Sequence, residues 1–272
     1  AGEDGNGSLA EAFAGLTGMT GDADGPPMLT STQLGDILSA FSGVIGTLSA
    51  CYWRDARGGT GQHVDVSMYE PVLHLLGPLF AARGAAPSAP HRTGSRLKAG
   101  APRNVYRTQD NNWIVLSATT DAQVARLLPL IGCDIEEDRA AFARSADRLR
   151  HADALDAQVA AWLAGLSRAE ALEALSAARL PAGPVNSVDD VITDPHVRAR
   201  EALARIDDPR FETLALPAPV PRLTRTPGRI RTVAPALGAH TAQVLAEWLG
   251  TGGPKDIPAP DTEGATAGGN TP

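Results

Sequence analysis

The chain has 272 residues, 43% hydrophobic and 20% charged, which is the length of roughly two domains of about 150 residues and a balance that excludes wholesale disorder, a collagen-like fibre and a coiled coil. Its net charge of -7 argues against a dedicated nucleic-acid binder, which needs a basic face to displace counterions from phosphate. No uninterrupted run of about 20 apolar residues marks a membrane helix and no charged-then-apolar leader opens the chain, so a cytoplasmic protein is expected.

The opening residues, Ala-Gly-Glu-Asp-Gly-Asn-Gly, are loop-like and read as an excised edge. Further on, Ile37, Phe41, Val44, Ile45, Leu48 and Tyr52 recur at helical spacing, predicting a helix over 37–53 with Asp36 as its N-cap. Its other face carries Ala40, Gly43, Gly46 and Ala50, small enough for a neighbouring element to approach closely. After the turn Arg57-Gly58-Gly59-Thr60-Gly61, the alternation His63-Val64-Asp65-Val66 predicts a short strand. Ser67 and Glu70 form a capping box that opens a helix to about Arg83. The Pro-, Gly-, Ser- and Arg-rich stretch 83–102 reads as a linker.

Beyond it, the runs Val105 to Thr108 and Trp113 to Ala118 flank Gln109-Asp110-Asn111-Asn112, a hairpin whose turn residues tolerate a left-handed backbone. Helical patterns over 121–131 and in pieces over 137–178 complete a small α+β domain, 103–185. The pattern breaks at Leu180-Pro181-Ala182-Gly183-Pro184-Val185. Short helices and strands follow over 186–249, such as Leu203 to Ile206 and a closing helix over 241–249. This segment is expected to return to the first domain, 1–82. The end, 250–272, has almost no large apolar residues to offset the entropy of ordering and is expected to be a disordered tail.

Several chemistries lack their motifs: there is no Gly-x-Ser-x-Gly elbow, His-Glu-x-x-His, Walker loop or Gly-x-Gly-x-x-Gly after a strand. His63, His74, His91, His151, His196 and His240 show no local ligand spacing, and Cys51 and Cys133 are too far apart for a disulfide framework or zinc site. No metal is assigned. Only Lys98 and Lys255 among the 24 basic residues are lysines; guanidinium suits planar recognition of phosphate and carboxylate, although GC-rich coding gives the same bias. Asp36 is the carboxylate that stands out, and at a helix start it reads by itself as a cap.

Its surroundings change that reading. Asp22-Ala23-Asp24-Gly25-Pro26-Pro27-Met28, then Gly35-Asp36, then Arg54 and Thr60-Gly61-Gln62-His63-Val64-Asp65-Val66-Ser67-Met68-Tyr69-Glu70 occur in order. Ala101-Pro102-Arg103-Asn104-Val105-Tyr106-Arg107-Thr108, Pro181-Ala182-Gly183-Pro184-Val185-Asn186, Asp194-Pro195-His196-Val197, Thr226-Pro227-Gly228 and Leu237-Gly238-Ala239-His240-Thr241 continue the series. Together they closely resemble the family III coenzyme A transferases, which include the formyl-CoA and carnitine-type CoA transferases and the related 2-methylacyl-CoA racemases. The resemblance implies an α/β protein with a broken Rossmann-like large domain built from both chain ends, a small inserted α+β domain and an interlocked homodimer.

It also implies that Asp36 is the nucleophile that carries coenzyme A from an acyl-CoA to a carboxylic acid, with CoA as substrate and no tightly bound cofactor. An aspartate is ionised at pH 7, so it needs no adjacent base. Arg96 and Arg103, near the linker, are candidates to hold CoA phosphates, with solvated surface as the plainer reading. The family's usual segment ahead of this region has no match here, so the chain is expected to be truncated, and by itself inactive and prone to aggregate. A racemase would show glycines after the aspartate, whereas Ile37-Leu38-Ser39-Ala40 follow Asp36; transferase is favoured over racemase and over an inactive fragment or assembly subunit.

Overall fold

In the computed structural model, which describes residues 5–85, 91–133, 140–208 and 210–250, helix α1 (Gly7–Ala14) starts where the Asn6 side chain accepts the Leu9 N–H at 3.1 Å. It stops at Gly15, whose φ of 93° is left-handed, a conformation glycine adopts without a Cβ penalty. The short α2 (Leu16–Met19) follows, then the long α3 (Leu34–Ala56). The cap of α3 is Gln33, not Asp36 as expected: Ile37 N–H already bonds Gln33 O at 3.0 Å, so Asp36 lies inside the first turn.

The segment His63 to Val66 forms no strand, because it pairs with no other strand among the described residues. It lies instead against the small-residue face of α3, where a Cβ added at Gly46 would come 2.8 Å from Val64 Cγ1. Ser67 Oγ donates to Glu70 Oε2 at 2.6 Å, but the single helix predicted after them is two, α4 (Glu70–Leu75) and α5 (Gly77–Ala85). Pro78 lacks an N–H and crowds the preceding turn, which explains the break.

Of the residues of α3 only Gly35 is buried, and Phe41, Ile45, Leu48 and Tyr52 stand 58, 66, 64 and 62% exposed. The helix has 23 residues and reaches a mean hydropathy of 1.4 over an 18-residue window, long and apolar enough to cross a membrane by length and composition. No uninterrupted apolar run marks it because Gly, Ser and Thr interrupt the apolar residues of α3 without adding charge.

Strand β1 (Arg103–Arg107) pairs antiparallel with β2 (Trp113–Ser117), Val105 opposite Val115, and β2 pairs antiparallel with β3 (Ala182–Pro184). The hairpin expected here is present, and Asn111 takes the left-handed turn position at φ 61°. Helices α6 (Asp121–Leu130), α7 (Ser145–Arg150), α8 (Ala152–Ala164) and α9 (Arg168–Ala177) belong to the same region. Of the helical pieces expected over 137–178, residues 137–139 lie outside the described residues. Ile114 and Leu116 alternate inward from β2 and are fully buried with Val124, Leu127, Leu155, Val159, Leu163 and Leu175, each such side chain contributing roughly 1.5–3 kcal/mol.

One buried charge organises this core. Arg148 has no exposed surface, and its guanidinium donates to Ala101 O, Phe142 O, Ala143 O and Thr119 O at 2.9–3.0 Å while pairing with Asp121 at 2.8 Å.

The chain divides into two units, Ala1–Val185 and Asn186–Pro272. The second holds α10 (Val188–Thr193), α11 (Pro195–Ala199), the antiparallel pair β4 (Leu203–Asp208) and β5 (Glu212–Pro217), and α12 (Thr241–Leu249). The capping box Ser187 and Asp190 opens α10, and Asp194 accepts the Val197 N–H at 2.9 Å to open α11. Of the tail expected over 250–272, all but Gly250 lies outside the described residues. Every strand pairing among the described residues is antiparallel.

Candidate active site

Asp36 sits where α1 and α3 cross. In the first turn of α3 its carboxylate lies near the positive end of the helix dipole, which favours an anion there by roughly 0.3–1 kcal/mol. Gly35, just before it, and Gly7, at the start of α1, are both buried, and a Cβ added at Gly35 would lie 2.9 Å from Gly7 O. The two backbones therefore touch. A Cβ added at Gly7 would lie 1.9 Å from Asp36 Oδ2 and 2.8 Å from its Cγ.

Glu11, one turn further along α1, is 2% exposed. Its Oε1 accepts the Gly35 N–H at 3.0 Å and its Oε2 accepts the Thr30 hydroxyl at 2.8 Å. A buried carboxylate is tolerable only when its lone pairs are engaged, as they are here. Ser39, one turn after Asp36, donates to Gly35 O at 2.7 Å. Asp36 itself is half-buried, so its carboxylate combines a fixed backbone with access to a reactant.

The two arginines suggested as phosphate ligands are engaged with neighbouring protein groups. Arg96 Nε donates to Asp156 Oδ2 at 2.6 Å and its Nη1 pairs with Asp153, while Arg103 Nη1 donates to Ser95 O at 2.6 Å. No hydrogen bond or ion pair joins either of them to Asp36 among the described residues. Arg92 laces the linker onto α2 and the loop after it by donating to the carbonyls of Gly18, Asp22 and Gly25 at 3.3, 3.2 and 2.6 Å. No three His, Cys, Asp or Glu side chains cluster as a metal site among the described residues.

Sequence reasoning missed Gly7, Glu11 and Thr30. Glu11 carried a signal: it is a lone charge in the otherwise uncharged stretch Gly7 to Met19.

The profile of CoA-transferase family III matches residues 1–241. The β subunit of a succinyl-CoA:L-malate CoA-transferase from Chloroflexus aurantiacus is 36% identical over 245 residues, covering 89% of this chain and 60% of that protein. A succinyl-CoA:D-citramalate CoA-transferase from the same organism is 32% identical, covering 90% and 61%. The chain thus spans about 60% of the length of these curated relatives. A crystal structure of a CAIB/BAIF family protein from Brucella suis superposes with a TM-score of 0.75 at 27% identity, over 90% of this chain and 63% of that one. Rv3272 from Mycobacterium tuberculosis shares the fold at a TM-score of 0.74 and 23% identity, over 89% and 63%. With a profile match across most of its length and these relatives, the chain belongs to CoA-transferase family III.

Proposed function

We propose that the protein transfers coenzyme A from an acyl-CoA to a carboxylic acid, with Asp36 as the covalent carrier. The observation that carries this reading is the placement of Asp36: a half-buried carboxylate in the first turn of α3 with the backbone before it tied down by Glu11. An Asp36 oxygen attacks the thioester carbonyl and the C–S bond breaks, giving a mixed anhydride and CoA thiolate. The thiolate attacks the Asp36 carbonyl, releasing the donor acid and leaving an aspartyl-CoA thioester. The acceptor carboxylate then attacks that thioester, and the expelled thiolate completes the exchange on the acceptor carbonyl, restoring Asp36. One thioester replaces another, so the energy of the bond is conserved through the cycle.

Succinyl-CoA is the proposed donor and a short dicarboxylic acid the acceptor, by likeness to the succinyl-CoA:L-malate and D-citramalate transferases. Coenzyme A is a substrate, with no resident cofactor, in a cytoplasmic homodimer. In this reading 1–82 and 186–249 belong to a Rossmann-like large domain, with 103–185 inserted as the small one. The test is CoA exchange between succinyl-CoA and a panel of dicarboxylates: turnover in the native protein and none in Asp36→Ala support it, and undiminished turnover in Asp36→Ala rejects it.

A further inference from the structure

The arrangement of α1 around Asp36 goes beyond what the nucleophile requires of its own helix. We propose that Gly7 and Glu11 are positioning residues for Asp36: Gly7 by leaving the space its carboxylate occupies, Glu11 by fixing the backbone from which it projects. This rests on the reading of Asp36 as nucleophile.

Gly7 and Glu11 are four residues apart on a helix and therefore share one face. That face meets the start of α3. At its N-terminal end, Asp36 Oδ2 fills the volume that a Gly7 side chain would take, since a Cβ there would lie 1.9 Å away. One turn on, the buried Glu11 carboxylate holds Gly35 N–H at 3.0 Å and, through Thr30 at 2.8 Å, the loop leading into α3. The residue before the nucleophile is thus clamped while the space above its side chain is kept open to one conformation. Reaction geometry demands this, because misplacing a reacting group by about 1 Å costs on the order of 100-fold in rate.

A merely structural role makes a different prediction. Alanine is the better helix former, so Gly7→Ala leaves α1 intact while its methyl group displaces the Asp36 carboxylate. Glu11→Ala opens the clamp, and Glu11→Gln retains a carbonyl acceptor for Gly35 N–H.

Three readouts on the protein purified at its full native length decide it: kcat and KM for CoA transfer from succinyl-CoA, the melting temperature, and the rate at which a water-soluble carbodiimide with an amine labels the Asp36 peptide. Gly7→Ala is expected to lower kcat about 100-fold with KM and melting temperature near native, and to change the Asp36 labelling rate severalfold. Glu11→Ala loses both kcat and stability, and Glu11→Gln recovers most of both. Native kcat and native labelling in Gly7→Ala overturn the proposal. If the protein at its full native length makes no CoA transfer, the nucleophile reading fails, and the labelling rates still decide whether Gly7 and Glu11 set the carboxylate. If Gly7→Ala does not fold, the double variant Gly7→Ala with Asp36→Ala decides: recovered folding locates the clash at the Asp36 carboxylate, and no recovery overturns the proposal.

Discussion

Arg96 Nε donates to Asp156 Oδ2 at 2.6 Å, joining the segment before β1 to α8. The same carboxylate accepts the Tyr106 hydroxyl at 2.5 Å and the Asn104 amide at 2.9 Å, and it is 8% exposed. Burial first, and the Asp156 carboxylate second, push the Tyr106 phenol above its ordinary range, so it stays a neutral donor.

Tyr106→Phe leaves that buried carboxylate short of a partner and is expected to lower stability by about 1–3 kcal/mol in urea denaturation. Arg96→Met is expected to lower the denaturation midpoint as well. An unchanged midpoint together with a raised KM for acyl-CoA would contradict this structural role and support Arg96 as a phosphate ligand.

Arg148 donates to four carbonyls from inside the core. Arg148→Met leaves those carbonyls without their donor, an expected loss of about 1–3 kcal/mol for each acceptor left buried and unsatisfied, while Asp121, 67% exposed, stays hydrated. A midpoint in urea within experimental scatter of native would contradict the role given to it.

Acid stability follows the hairpin turn. The Thr108 hydroxyl, aided by the Arg168 and Asn112 N–H groups, lowers Asp110 from 3.8 to about 2. A carboxylate depressed in the folded state contributes stability above its unfolded value, and that contribution is lost as pH falls from about 4 towards 2. Asp208, held at about 2 by Arg210, acts with the same sign. Asp110→Asn is therefore expected to flatten the pH dependence of the denaturation midpoint between pH 5 and 2. An equally steep loss would contradict this assignment.

The exposed stripe Phe41, Ile45 and Leu48 on α3 is an apolar patch of the kind that marks an association surface. Sedimentation of Phe41→Ser with Ile45→Ser is expected to show less self-association than native at equal concentration. The same distribution of species in both would place association elsewhere.

What the sequence disclosed depended on how local the signal was. The β1 and β2 hairpin, α6 and α12 follow from periodicity and turn residues within a few positions, and they lie where those patterns predict. His63 to Val66 alternates like a strand, but a strand needs a partner, and here Gly46 of α3 receives Val64 instead. Nothing in the local pattern marks Arg148 as buried, because its acceptors come from Ala101, Thr119, Phe142 and Ala143. Asp36 was legible only through the order of motifs around it. Its contact with Gly7 and the Glu11 clamp on Gly35 arise from the crossing of two helices, which no periodicity in one helix encodes.

The central claim is that Asp36 becomes covalently bonded to coenzyme A. Incubating the protein with succinyl-CoA, quenching with hydroxylamine and mapping peptides by mass spectrometry measures it directly, since hydroxylamine converts an aspartyl thioester into a stable hydroxamate at the same carbon. The account predicts the hydroxamate on the peptide containing Asp36 and none in Asp36→Asn. A hydroxamate on another carboxylate, or exchange activity with none on Asp36, would contradict it.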